Sequence, residues 1–239
     1  MASKQSGWVE MQRVKTIDGK LPVIIFAPHG FNGNDQNTSL IAESIATQIK
    51  ANAVINLGWE RSDIVDCIND KADCNSVHHC HQDVVKEEIL DPLMRYVQKA
   101  KLTNDFVYVF NIHGMSDHHR IVAKDKLDLV IGFGEGDPPS LSMDIWRKNF
   151  MMSRLIGFGI NAYEGKSGGK FSGWAKSNMN QLFRKWYPEP KVQSIQIELT
   201  HEIRSTEAKC LLTAVDLAIA IEDLISTASF SSMATFKNY

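Results

Sequence analysis

Cysteine is scarce in this chain. Four in 239 residues, Cys67, Cys74, Cys80 and Cys210, are too few for a disulfide framework at this length and fit thiols kept reduced. No apolar run approaches the roughly 18 residues of a membrane span. The opening Met1-Ala2-Ser3-Lys4-Gln5-Ser6-Gly7 lacks the apolar core of a secretory signal. Charge of one sign is missing too: 26 lysines and arginines stand against 28 aspartates and glutamates, for a formal net charge of −2. The basic residues are scattered, without the stripe that nucleic-acid binding requires. Repeats, low-complexity segments and an internal linker are also absent. The expectation is a soluble, cytoplasmic protein with no nucleic-acid or membrane partner, homo-oligomerisation being left open.

What is present is apolar content, 44% of the chain, enough for one large core. A single domain over 1–239 is expected, with 228–239 as a frayed Ser-rich tail. Trp8 to Val14 alternates weakly, and Asp18-Gly19 is a hairpin turn signal. Leu21 to Ala27 is a nearly continuous apolar strand, the pattern of a buried central position. Thr38 or Ser39 can cap a helix running to about Ala51, with Ile41, Ile45 and Ile49 on one face. Further strands are expected at Ala53–Leu57, Phe106–Ile112, Leu127–Ile131 and Val192–Leu199. Helices are expected at His81–Ala100, disturbed near Pro92, and at Ser142–Leu155, Trp174–Trp186 and Glu207–Ile225. Strands alternating with helices predict a layered α/β fold with a mixed, mostly parallel central sheet flanked by helices.

Two of these strands end in a histidine followed by glycine: Phe26-Ala27-Pro28-His29-Gly30 and Asn111-Ile112-His113-Gly114. A third carries a carboxylate among apolar neighbours, Ile195-Gln196-Ile197-Glu198-Leu199. Strand ends are where rigid scaffold meets open crevice, so these groups point to one site and to a metal ion, zinc before others. Asp35 follows His29 across a loop with two glycines that let the chain double back, making it the third ligand. Asp35 and Asn37 could instead only shape a turn and cap the next helix; alongside both histidines, metal binding is preferred. Glu198 on a buried strand needs a partner or a task. The partner would be an arginine such as Arg61 or Arg204; the task would be general base toward a zinc-activated water.

The stretches Ala27-Pro28-His29-Gly30, Asp35 to Ser39, Ile112-His113-Gly114 and Gln196-Ile197-Glu198-Leu199, in that order, resemble the zinc-dependent N-formylglutamate amidohydrolases and the phage poly-γ-glutamate hydrolases. Leu127-Asp128-Leu129-Val130-Ile131-Gly132 and the segment from Asn161 to Gly169 extend the likeness, from about Ile24 to Arg204. The resemblance implies a zinc-carboxypeptidase-like fold, one zinc ion on His29, Asp35 and His113, and Glu198 as catalytic carboxylate. It implies that Arg61, within Trp59-Glu60-Arg61-Ser62-Asp63, holds a substrate carboxylate and assists catalysis, and that Asn161, Gly169 and Lys170 close on substrate. Asp35 stands where the poly-γ-glutamate hydrolases use glutamate, and its shorter reach requires a closer backbone. The implied reaction is hydrolysis of an amide in an acidic N-acyl amino acid or γ-glutamyl peptide, so the partner is a small-molecule or peptide substrate bearing a carboxylate. A non-catalytic metal- or carboxylate-binding protein on the same fold is the alternative.

Four further signals carry less. Gly165-Lys166-Ser167-Gly168-Gly169 matches a nucleophile elbow, which would make Ser167 the nucleophile of a metal-independent hydrolase, but Asn161 to Glu164 does not read as the buried strand this requires. The same run lacks the leading glycine of a phosphate loop, Ile160 standing in its place. Cys74, His78, His79, Cys80 and His81, with Cys67 near, match no common zinc spacing and read as a solvated loop. His118 and His119 read as surface residues.

Overall fold

The protein is described here by a computed structural model covering residues 13–30, 35–59, 86–117, 127–138, 140–176, 178–189 and 191–235. Arg61, the cluster from Cys67 to His81, His118 and His119 lie outside the described residues. Strands β1 (Val14–Ile17), β2 (Val23–Ala27), β3 (Asn52–Asn56), β4 (Val107–Met115), β5 (Leu129–Gly132), β6 (Ala162–Glu164) and β7 (Val192–Thr200) form one sheet in the order β1-β3-β2-β4-β7-β5-β6. The inner strands β3, β2, β4 and β7 are parallel; β1 lies antiparallel to β3, and β5 antiparallel to β7. Helices α1 (Thr38–Ile49), α2 (Asp91–Thr103), α3 (Ile145–Gly157), α4 (Met179–Trp186) and α5 (Glu207–Thr235) cover the two faces. This is the expected layered α/β fold with a mostly parallel sheet. Among the described residues no helix is long and apolar enough to cross a membrane.

The core follows from strand alternation. Val23, Ile25, Ala27, Tyr108, Phe110, Ile112, Ile195, Ile197 and Leu199 are buried under α1, α3 and α5. The intervening Ile24, Phe26, Val107 and Val109 are buried under α2 and α4. Continuing that second face along the register, Asn111 pairs with Gln196 and His113 with Glu198. One face of two adjacent strands thus changes from apolar at its start to polar at its end.

Several local expectations are corrected. Asp18-Gly19 makes no hairpin: β1 pairs with β3, Val14 opposite Asn56, and Gly19 N–H donates to Asn52 Oδ1 at 3.0 Å. The wholly buried β2 takes an inner position between β3 and β4, which leaves the edge to the half-exposed β1. The N-cap of α1 is Asn37, left-handed at φ 70°, not Thr38 or Ser39; asparagine tolerates that region better than most residues. A π-helical turn, Lys86–Leu90, leads into α2, and Pro92 occupies the first turn, where its missing N–H breaks no helical bond. Helix α4 starts only at Met179, capped by Asn178, whose Oδ1 accepts from Asn180 N–H at 3.0 Å. Helix α5 continues past Ile225 to Thr235. Ala162–Glu164, as expected, is no buried strand: it forms a short strand whose Tyr163 and Glu164 are exposed. No helix follows it directly, and Ser167 sits exposed in a turn, so a nucleophile elbow is not formed.

Candidate functional site

His29 stands just beyond β2 and His113 near the end of the adjacent β4. Gly30 is required here, because a Cβ would lie 2.6 Å from Ser39 Cβ and 2.9 Å from the Asn56 carbonyl oxygen. That close approach lets the start of α1 fold back over the histidines. Asn56 Nδ2 donates to the Pro28 carbonyl at 2.8 Å, fixing the turn from the other side. The Thr38 hydroxyl donates to the Asp35 carbonyl at 2.8 Å, so the first residue of α1 holds Asp35 in place.

Asp35 Oδ2 lies 3.3 Å from His29 Nδ1 and 3.4 Å from His113 Nδ1. The two rings meet edge-on, with centroids 5.1 Å apart and planes at 65°. Charge-assisted N–H···O contacts close to about 2.7–2.9 Å, whereas ligands on a tetrahedral zinc with bonds of about 2.0–2.1 Å sit about 3.3–3.4 Å from one another. The spacing matches donors around a shared ion better than a pair of strong hydrogen bonds. Ligand atoms of His29, Asp35 and His113 all lie within 4.8 Å of one another, and this is a group able to hold a metal ion. Nδ1 of each ring is the nitrogen nearest Asp35 Oδ2, so Nδ1 of His29 and of His113 are the atoms that would meet the ion. Two imidazoles and a carboxylate form a donor set that zinc accepts, with a fourth position left for water. Burial alone would raise the Asp35 carboxyl, but contacts with His113 and His29 outweigh it and hold the group well below the usual carboxylate range.

Glu198 is the register partner of His113 on the neighbouring strand and is 7% exposed. Burial pushes its carboxyl up to about 7; the nearby His113 partly offsets this and Asp35 reinforces it. Gln196 Nε2 donates to Glu198 Oε1 at 2.6 Å, and Gln196 Oε1 accepts from Asn178 Nδ2 at 2.6 Å. Below this, Asn180 Oδ1 accepts from Asn111 Nδ2 and from the Ser194 hydroxyl, both at 2.9 Å. Sequence reading passed over this ladder, although polar residues at every second position, Asn111 and His113 on β4, and Ser194, Gln196 and Glu198 on β7, were its signal. Among the described residues Glu198 has no arginine ion pair; Arg204 instead donates to the carbonyls of Leu199, Gln36 and Met115.

The remaining expected site residues are less concentrated. Lys170 is exposed on the loop after β6, with its ammonium 5.4 Å from the Phe171 ring centre and near enough to favour the charged form of Glu198. Phe171 packs against Met115, Leu127 and Val130, an apolar patch beside Glu198, which pairs with Val130 across the sheet. Gly132 admits this packing, since a Cβ there would lie 2.3 Å from the Phe171 carbonyl oxygen. Gly169 shapes the loop turn, its N–H donating to the Lys166 carbonyl at 2.7 Å. Asn161 is exposed at the start of β6, its amide held by Asp128 Oδ2 at 2.8 Å.

No family model matches the sequence, and no curated protein does. Solved structures do match. An N-formylglutamate amidohydrolase from Ralstonia eutropha JMP134 superposes with a TM-score of 0.62 at 12% identity, over 94% of this chain and 100% of that one. A bacteriophage poly-gamma-glutamate hydrolase gives 0.55 at 14% identity, over 92% and 89%. A protein named YndL, solved in a zinc-free apo form, gives 0.51 at 13% identity, over 90% and 91%. At these identities the shared property is the fold, and it extends over nearly the whole of each chain.

Proposed function

We propose that this chain is a zinc-dependent hydrolase of an amide bond in an acidic N-acyl amino acid or a γ-glutamyl peptide. The reading is carried by one arrangement: Asp35 set between His29 and His113, with Glu198 level with His113 on the next strand. Zinc held by these three residues would polarise the scissile carbonyl and lower the pKa of a water toward about 7. Glu198, buried level with His113 on the neighbouring strand, is placed to take a proton from a water at the metal and to return it to the leaving group. Gln196 holds Oε1, which leaves Oε2 to remove the proton from the attacking water and deliver it to the departing nitrogen. The Lys170 ammonium beside the Met115, Leu127, Val130 and Phe171 patch suits a substrate with a short aliphatic stem and a carboxylate. Arg61 is assigned to the same carboxylate on the sequence alone. The choice of acidic amides also draws on the fold shared with N-formylglutamate amidohydrolase and poly-gamma-glutamate hydrolase.

The rival reading, a binding protein without catalysis, expects Glu198 locked to an arginine; Arg204 is not that partner, since its guanidinium donates to backbone carbonyls. The test is metal analysis of the purified chain joined to a hydrolysis screen of N-formyl- and N-acetylglutamate, the corresponding aspartates and γ-glutamyl peptides. About one zinc per chain and turnover of at least one of these compounds is expected. A chain that carries no zinc after zinc loading, with hydrolysis intact in His29→Ala, would refute the proposal.

A further inference from the structure

Arg204 follows β7 in a single 3-10 turn, Glu202–Arg204, and its side chain is among the largest fully buried ones in the molecule, at 1% exposure. Among the described residues its guanidinium reaches three separate segments. Nε donates to the Leu199 carbonyl at 3.2 Å, Nη2 to the Met115 carbonyl at 3.2 Å, and Nη1 to the Gln36 carbonyl. Leu199 adjoins Glu198, Met115 lies two residues past His113, and Gln36 adjoins Asp35. A return contact completes the tie, as Asn37 Nδ2 donates to the Arg204 carbonyl at 2.8 Å. Burial works against the charge and lowers the pKa of the guanidinium; Asp35, Asp117 and Glu198 partly offset this.

We infer that Arg204 is a positioning residue for the metal group, setting the separation of Asp35, His113 and Glu198 by pinning the backbone beside each of them. The inference rests on the metal reading above. A planar guanidinium presents its donors in a fixed fork, so three carbonyls bound to it keep fixed positions relative to one another. Donor spacing is what a metal measures, and partners one shell removed from the ligands typically change metal affinity 10–100-fold when removed. A lysine in the same place keeps the charge but offers a single point of attachment. The fork therefore separates positioning from charge.

The experiment measures zinc affinity directly, by competition with a chromophoric chelator, for the wild type, Arg204→Lys, Asn37→Gly and a control, Arg147→Lys. Arg147 is also buried, at 3% exposure, but packs beside Tyr108 near the start of β4, the opposite end from His113. Circular dichroism and thermal melting confirm folding of each. The expected result is zinc affinity about tenfold or more weaker in Arg204→Lys, a smaller loss in Asn37→Gly, and none in Arg147→Lys despite a lowered Tm. Should Arg204→Lys fail to fold, Asn37→Gly, which keeps the left-handed backbone and removes only the contact to the Arg204 carbonyl, decides the matter against Arg147→Lys. Wild-type affinity in folded Arg204→Lys and in Asn37→Gly, or an equal loss in Arg147→Lys, overturns the inference while leaving the metal reading intact. A wild type that binds no zinc overturns the metal reading and the inference with it.

Discussion

The two ends of strands β4 and β7 differ in how they treat buried polarity. At the start of β4 the Arg147 guanidinium lies 3.8 Å from the Phe106 ring centre and 4.5 Å from that of Trp146. It donates to the Tyr108 hydroxyl at 3.0 Å and pairs with Asp144. Nearby, the Ser142 hydroxyl donates to the Ser194 carbonyl at 2.6 Å and Asp144 N–H to Gln193 Oε1 at 2.7 Å. Toward the other end, Asn111 Oδ1, His113 Nε2 and Thr200 Oγ1 are buried without hydrogen-bond partners among the described residues. Glu198 is buried there with its carboxyl pushed up to about 7. One end spends its polar groups on holding α3 to the sheet; the other keeps them in reserve. Unmatched capacity of that kind is a more specific pointer to chemistry than the presence of polar residues in a core.

That contrast can be broken in stages. His113→Ala has the largest expected effect, loss of stoichiometric zinc by elemental analysis together with loss of hydrolysis; zinc retained at wild-type level would remove His113 from the ligand set. Glu198→Gln should lower kcat by about 10²–10⁴-fold, the usual contribution of a general acid–base group, while zinc content stays unchanged. Gln196→Leu comes next, with kcat about tenfold lower as Glu198 loses the contact that orients it, and KM nearly unchanged. If KM rises instead, Gln196 belongs to substrate binding.

The pH dependence is gentler and has a definite sign. In the metal-free protein the Glu198 carboxyl is raised from 4.5 to about 7 on folding. Between those values the unfolded chain therefore binds fewer protons than the folded one. Stability contributed by protonated Glu198 is complete below about pH 4.5 and is lost as pH rises toward 7. Thermal melting of the metal-free wild type compared with Glu198→Gln should show this extra decline in the wild type alone. The smallest effect on the site is expected from Arg147→Met, which should lower Tm and leave zinc affinity untouched. A change in affinity there would mean that the two ends are coupled.

Much of this was legible from the chain. Apolar runs ending in His29 and His113 could be read as strand ends because a strand buried on both faces leaves little alternation to confuse it. Asp35 could be placed beside them because the loop is short and rich in glycine. What stayed hidden depends on which segments become neighbours. The pairing of β1 with β3 was obscured by a turn signal at Asp18-Gly19 that is locally sound but is overruled by the demand of β2 for two inner neighbours. Strand β6 is three residues long with an exposed edge, so it carries almost no periodic signal. Arg204 enters the sequence reading only as an alternative ionic partner for Glu198, beside Arg61, since sequence gives its charge but not the carbonyls it binds.

The reversal of strand direction between β7 and β5 bears on how such a scaffold can diversify. Because β5 and β6 run against β7, the site end of the sheet meets their beginnings, at Asp128 and Asn161, while it meets the tails of β2, β4 and β7. Chain entering a strand can change in length without displacing the register of the strands that carry His113 and Glu198. The architecture thereby divides inheritance into two parts: a constant half that must keep its side chains in place, and an adjoining half whose approaches can be rewritten.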